Sequence, residues 1–168
     1  MSILWPHPPY AEDQPHTTAI LTTHVLLRGF QLGAAVGPIA APIRYRILRR
    51  APSPPPFLPT LLHTTSSSAF VGTGILALAL VGRMWGREDI EWKDRAWRLL
   101  ENEGQVEVDT WSGVGMVGGA AATVGVGRRY GLVRGFRAVV GRAGLGGVAG
   151  VLGYVGWRYG IRGGERSG

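Results

Sequence analysis

No Asp, Glu, Lys or Arg stands between Ala51 and Gly82, and so long a charge-free stretch leaves few folds open. A surface helix of a soluble bundle carries polar residues opposite its apolar stripe. This stretch has no such face, since its non-apolar residues are Pro, Gly, Ser, Thr and one His. Three further stretches resemble it: Asp13 to Arg44 encloses only Arg28, and Thr110–Gly127 and Ala143–Trp157 carry no charge. A membrane helix needs about 20 mostly apolar residues. The sequence therefore predicts an all-α, multi-span membrane protein with four Gly-rich transmembrane helices over 18–42, 57–82, 110–127 and 141–160. The last must reach over Arg142 or Arg158, whose long side chains snorkel to the headgroups. An extended Pro-rich tail, 1–17, precedes a single membrane domain, 18–168. Its polar connector, 83–109, is expected to carry a short interfacial helix between the second and third spans.

Composition supports the same class. Only 17% of residues are charged, against roughly a quarter in soluble domains. The chain has 27 Gly and no Cys, which excludes disulfides and Cys-based metal sites. Association of helices in lipid depends on close van der Waals contact, and small residues four apart let two backbones approach. Gly29, Gly33, Gly37 and Ala41 form such a ridge in the first span; Ser68 and Gly72, Gly115 and Gly119, and Gly146 and Gly150 form shorter ones. Ala149 and Gly153 make a parallel ridge on the fourth span. Pro38 is expected to kink or end the first span.

Charge then sets topology. Arg44, Arg46, Arg49 and Arg50 follow the first span, and Arg128, Arg129, Arg134, Arg137 and Arg142 lie between or beside the third and fourth. The connector Arg83–Asp109 has five basic and eight acidic residues, a net of −3. Short basic loops stay on the side of insertion, so four spans put both Arg loops on one side and the connector and both termini on the other. Seventeen of the eighteen basic residues are Arg. Their forked donors suit phosphate, so Arg44, Arg46, Arg49, Arg50, Arg128 and Arg129 are expected to contact lipid or acidic partners. Nucleic acid is not expected as a partner, because the charges flank apolar spans instead of lining one polar face. The first twenty residues hold two acids, four Pro and no Lys or Arg, unlike a presequence or a secretory signal. Insertion is therefore expected to use the spans themselves.

The connector segment Glu88–Leu100 reads as a helix, with Glu91–Arg95 and Asp94–Arg98 spaced for ion pairs and Trp92, Ala96 and Leu99 along one stripe. Gly104 is expected to close it, with an extended lead from Gln105 to Trp111. Trp92 and Trp97 on so short a helix suit the bilayer interface or a partner's groove. The run Glu91–Trp111, EWKDRAWRLLENEGQVEVDTW, together with HPPY at His7–Tyr10, resembles a fungal family of small mitochondrial inner-membrane proteins. These are accessory subunits of respiratory complex I (NADH:ubiquinone oxidoreductase) of the type called NUXM. The resemblance is best in this segment and elsewhere extends to the layout of tail, spans and Gly-rich end. It implies a multi-pass inner-membrane location and a non-catalytic role in the membrane arm. It also implies contacts with other membrane-arm subunits and with phospholipid such as cardiolipin, with both termini in the intermembrane space. A broader likeness is to the preprotein translocase subunits of the same membrane, whose diagnostic stretch places an Arg four residues before an Asp. Here Gln105 stands four before Asp109, so a translocase-like or transport component is the alternative function.

No catalytic, cofactor-binding or metal-ligating set is expected. His24 and His63 each fall near a predicted span end, where two His on neighbouring helices can hold haem or quinone. No second pair accompanies them, and interfacial His bonded to water or Thr is the plainer reading. The three Met are scattered. No Asp or Glu falls inside the four predicted spans, which argues against a proton path. Arg28, the one charge inside a predicted span, is expected to pair with a partner's acid or a lipid phosphate, or else to snorkel. The Gly-rich GRAGLGGVAG follows no strand and is not a dinucleotide loop.

Overall fold

The structure, a computed structural model, describes residues 5–130 and 135–161, and the side chains of all of these except 124–130. Five helices follow one another: α1 Thr17–Leu48, α2 Phe57–Met84, α3 Asp89–Glu101, α4 Glu103–Tyr130 and α5 Phe136–Val155, which runs on as a π-helical segment, Gly156–Ile161. Among the described residues, three helical stretches are long and apolar enough to cross a membrane: Thr17–Leu48, Phe57–Met84 and Phe136–Ile161. α4, expected as a span over 110–127, is not among them. It begins seven residues earlier than expected, at Glu103, and so takes Glu103, Glu107 and Asp109 into its first turns.

Two antiparallel hairpins make the bundle. Gly29 faces Gly72, Gly33 faces Ser68 and Gly37 faces Thr65 along α1–α2; Gly115 faces Gly146 and Gly119 faces Arg142 along α4–α5. α5 also lies against α2 and α1, so it joins the hairpins. Interior and exterior are sorted by size as well as polarity. Ala34, Ala41 and Ala69 are fully buried, while Ile39 and Leu78 are about three-quarters exposed at 74% and 75%. Small residues inside and large aliphatic ones outside is an arrangement for helices whose surroundings are as apolar as their side chains.

Several local expectations are corrected. α1 continues through Pro38 and Pro42 to Leu48 instead of ending near 42; each Pro removes one N–H donor, a local loss that a long, closely packed helix tolerates. At 1.5 Å per residue α1 is about 48 Å long, which carries Arg44 and Arg46 past the reach of a hydrocarbon core. Gly104 does not close α3. That helix stops at Glu101, and Asn102 turns the chain and accepts the Gln105 N–H through Oδ1 at 3.2 Å, a cap that starts α4 where an extended lead was expected. In α3 and the residues leading into it the ion pairs are Arg87–Glu91, Asp89–Lys93 and Asp94–Arg98. Glu91 serves the capping box with Glu88 in place of the expected pair with Arg95.

The described part of the tail packs back on the bundle, with Tyr10 and Gln14 extended on either side of one short turn. After a 3-10 turn at Ala11–Asp13, His16 takes a left-handed conformation (φ 57°) that turns the chain into α1. Trp5 packs with Leu21 and Leu99 around Ile20, Ala96 and Leu100, a small core that ties tail, α1 and α3 together.

Candidate functional site: a polar clamp between the hairpins

His24, Arg28 and Gln31 recur at i, i+4 and i+7 on α1, and Gln105, Asp109 and Ser112 repeat the same spacing on α4. On a helix that spacing places three residues on one face, so each helix carries a polar stripe, and the fold sets the two against each other. His24 Nδ1 lies 3.0 Å from Asp109 Oδ2, and because an ionised carboxylate only accepts, that ring nitrogen donates. Arg28 Nη2 lies 3.0 Å from Asp109 Oδ1 and donates to Gln105 Oε1 at 2.6 Å, while its Nη1 donates to Gln31 Oε1 at 2.9 Å. Gln31 Nε2 donates to Ser112 Oγ at 2.7 Å. The Asp109 side chain is 2% exposed, and a carboxylate buried to that degree persists as an anion only beside cations and donors. Arg28 therefore finds its acid within its own chain, where a partner's acid or a lipid phosphate was expected.

A second polar clasp joins α4 to α5. Tyr154 donates its hydroxyl proton to Glu107 Oε2 at 2.9 Å, and Arg158, in the π-helical segment, reaches the same oxygen at 2.6 Å and also touches the Tyr154 hydroxyl. Trp111 lies against both Tyr154 and Trp157. The extra residue per turn of a π segment re-aims side chains, and here it accompanies the reach of Arg158 to α4. Both clasps use acids from the first turns of α4, so the least apolar of the four long helices is fastened on two sides by its polar end.

The residues expected to pack helices lie as follows. Gly29, Gly33 and Gly37 face α2, and Gly115, Gly119, Gly146 and Gly150 form the α4–α5 seam, with Gly150 under the Trp111 carbonyl. Ala41 is fully buried. Gly72 and Ser68 meet the α1 ridge, whereas Ala149 is exposed and Gly153 lies beside the edge of the Trp111 ring. Sequence reasoning missed Gly141, which abuts the Leu62 carbonyl, and Gly144 beside Ala34 and Thr65; these let α5 approach the first hairpin. Their three-residue spacing on a second face of α5 was the available signal.

Of the expected lipid or partner contacts, Arg46, Arg49 and Arg50 are exposed, and the Arg49 guanidinium sits over the Tyr45 ring. Arg44 is half-buried, and the Arg128 and Arg129 side chains and Arg134 lie outside the described residues. Trp97 turns to its own chain: its indole N–H donates to the Pro8 carbonyl at 2.9 Å, and its ring lies 5.4 Å from that of His7, which bonds Glu101 at 2.7 Å. Trp92 lines an apolar groove with Thr22, Leu26 and Leu80. His24 and His63 are not brought together, since His63 accepts from Arg137 while His24 meets Asp109. Among the described residues, no three His, Asp or Glu converge as a metal site.

Against known families, the profile described as "Protein of unknown function (DUF1757)" matches residues 11–153. No curated protein matches the chain.

Proposed function

This chain belongs to the DUF1757 family, and we propose that it is a non-catalytic accessory subunit in the membrane arm of mitochondrial respiratory complex I. The observation that carries the reading is a juxtaposition. The two segments that resemble the NUXM-type subunits, His7–Tyr10 and Glu91–Trp111, are far apart in sequence yet packed on each other through Trp97, Pro8, His7 and Glu101. A shared sequence pattern that forms one folded cap is better explained by one inherited structural unit than by two chance likenesses. The cap closes the end of the bundle where α1 begins and α4 emerges, and its exposed face is available to a neighbouring subunit.

On this reading α4 is also a span, the third of four along the chain. Glu107 and Asp109 in its first turns are each paired with a cation in the two clasps, and Thr110–Gly127 beyond them is uncharged. The Arg-rich loops then face the matrix, with tail and α3 in the intermembrane space, as the distribution of Arg directs. Work in this bundle is done by packing: glycine seams hold each hairpin, the clamp fixes one hairpin on the other, and large apolar side chains face lipid or neighbouring subunits.

Blue-native separation of detergent-solubilised mitochondrial membranes, with this chain followed by mass spectrometry, tests the reading. Comigration with NADH:ubiquinone oxidoreductase activity is expected. Migration with a protein-import assembly, or as a free species, would replace it with the transport alternative. Orientation has a separate test, made simple because the chain has no Cys. In mitoplasts, a membrane-impermeant maleimide is expected to label a Tyr10→Cys variant and to spare Ser53→Cys until detergent is added. The reverse pattern overturns the orientation, and labelling of both overturns the assignment of α1 as a span.

A further inference from the structure

We infer that Arg44, His63, Ser67 and Arg137 form a binding site for the phosphate of an anionic phospholipid, at the end of the bundle where α2 and α5 begin. Three helices contribute to it. Arg137 on α5 donates through Nη1 to His63 Nε2 and to Ser67 Oγ, both on α2 and both at 3.0 Å. The charge of Arg44 on α1 also bears on His63. Because a guanidinium only donates, His63 must accept at Nε2 and is therefore a neutral ring with its proton on Nδ1. That Nδ1 is buried and has no hydrogen-bond partner.

The charges at this end are uncompensated. Every described Asp and Glu lies in the tail, in or beside α3, or in the first turns of α4, all at the opposite end. Neither Arg44 nor Arg137 has an acid within ion-pair distance among the described residues. Arg137 is moreover the second residue of α5, where the positive pole of the helix disfavours a cation unless an anion stands beside it. Two guanidinium groups, an orphaned imidazole N–H and a helix N-terminus thus call for one acceptor-rich anion. A phosphodiester supplies it.

The surroundings favour a lipid over a free anion. Phe136, adjacent to Arg137, stacks on Phe70 with ring centroids 6.0 Å apart, and the two rings are 71% and 45% exposed. They offer an apolar wall for acyl chains immediately beside the cationic group. The site needs only that these helices lie in a membrane and is independent of the assembly the chain joins.

Native mass spectrometry of the full chain in neutral detergent tests it, with dioleoylphosphatidylglycerol, dioleoylphosphatidylcholine and inorganic phosphate as separate probes. The wild type should retain the glycerol lipid in preference to the choline lipid, and inorganic phosphate should not compete. Arg137→Gln and Arg44→Gln should each weaken retention of the anionic lipid about fivefold, the equivalent of ~1 kcal/mol per cation. Arg98→Gln removes the same charge at the opposite end and should leave retention unchanged. Helicity by circular dichroism identifies any variant that fails to fold, and either Arg variant suffices alone. Equal retention of the two lipids, wild-type behaviour of a folded Arg137→Gln or Arg44→Gln, or an equal loss in Arg98→Gln overturns the site. Competition by inorganic phosphate overturns the lipid assignment and makes the ligand a free anion.

Discussion

Replacement of Asp109 by Leu is expected to destabilise the purified chain by about 3–5 kcal/mol, the range for removing one partner of a buried ion pair. The cost comes less from the lost attraction than from what is left behind. Arg28 and His24, with side chains 21% and 13% exposed, would keep their desolvation without the carboxylate that offsets it. Arg28 would retain only the amide oxygens of Gln31 and Gln105. The companion variant separates this account from a simple packing defect. Arg28→Met combined with Asp109→Leu removes charge from both sides, and exchange of a buried pair for apolar groups of similar size is often near neutral. The double variant should therefore be more stable than Asp109→Leu alone. Reversible unfolding in mixed micelles, followed by far-ultraviolet circular dichroism, reads both. If Asp109→Leu unfolds with the wild type, the clamp does not hold the hairpins; if the two losses simply add, Arg28 and Asp109 are not coupled.

The second large effect is expected at Gly33. A Cβ there would overlap the Ser68 carbonyl oxygen and come within 2.8 Å of the Ala69 Cα. Both are backbone atoms of α2, which cannot rotate aside as a side chain would. Gly33→Ala must push the two helices apart along their seam, and overpacking of this kind typically costs about 1–3 kcal/mol, occasionally more. Gly118→Ala is the matched control. It lies on α4 with nothing within 4 Å of the added carbon, and removal of a glycine from a helix interior there should be neutral or stabilising by up to ~1 kcal/mol. The same micelle unfolding measurement applies. Equal stability of the two variants would show that the α1–α2 hairpin is not held by close backbone approach.

Much of this architecture was legible in the chain because the relevant signals are local. Charge-free length marked α1, α2 and α5, and four-residue spacing of Gly marked both seams, since each property depends on one helix alone. The boundaries failed where a competing local interaction won. Gly104 looked like a helix stop, yet the Asn102 side chain already caps the next helix, so α4 begins among the acids of the connector. That shift of seven residues changed the reading of the candidate site. With α4 starting at Thr110, Asp109 would sit in a loop and Arg28 would need an outside partner. With α4 starting at Glu103, Gln105, Asp109 and Ser112 fall on one helical face and meet His24, Arg28 and Gln31. The matching stripes were visible as spacing in both segments, but spacing does not say which stripe faces which.

By itself, the sequence determined that α1, α2 and α5 are helices apolar enough to cross a membrane, which faces are small enough for close approach, and which end of the bundle is basic. These follow from composition and periodicity within single segments. Only the tertiary structure decided that α5 joins the two hairpins, that the tail closes on α3, and that Arg28 is answered by Asp109. Each of these depends on bringing together residues tens of positions apart, where the direction of a helix and the exact turn at which it begins set which side chains meet. In a bundle whose polar groups are few, one such meeting determines whether a charge is buried with its partner or left to find one elsewhere.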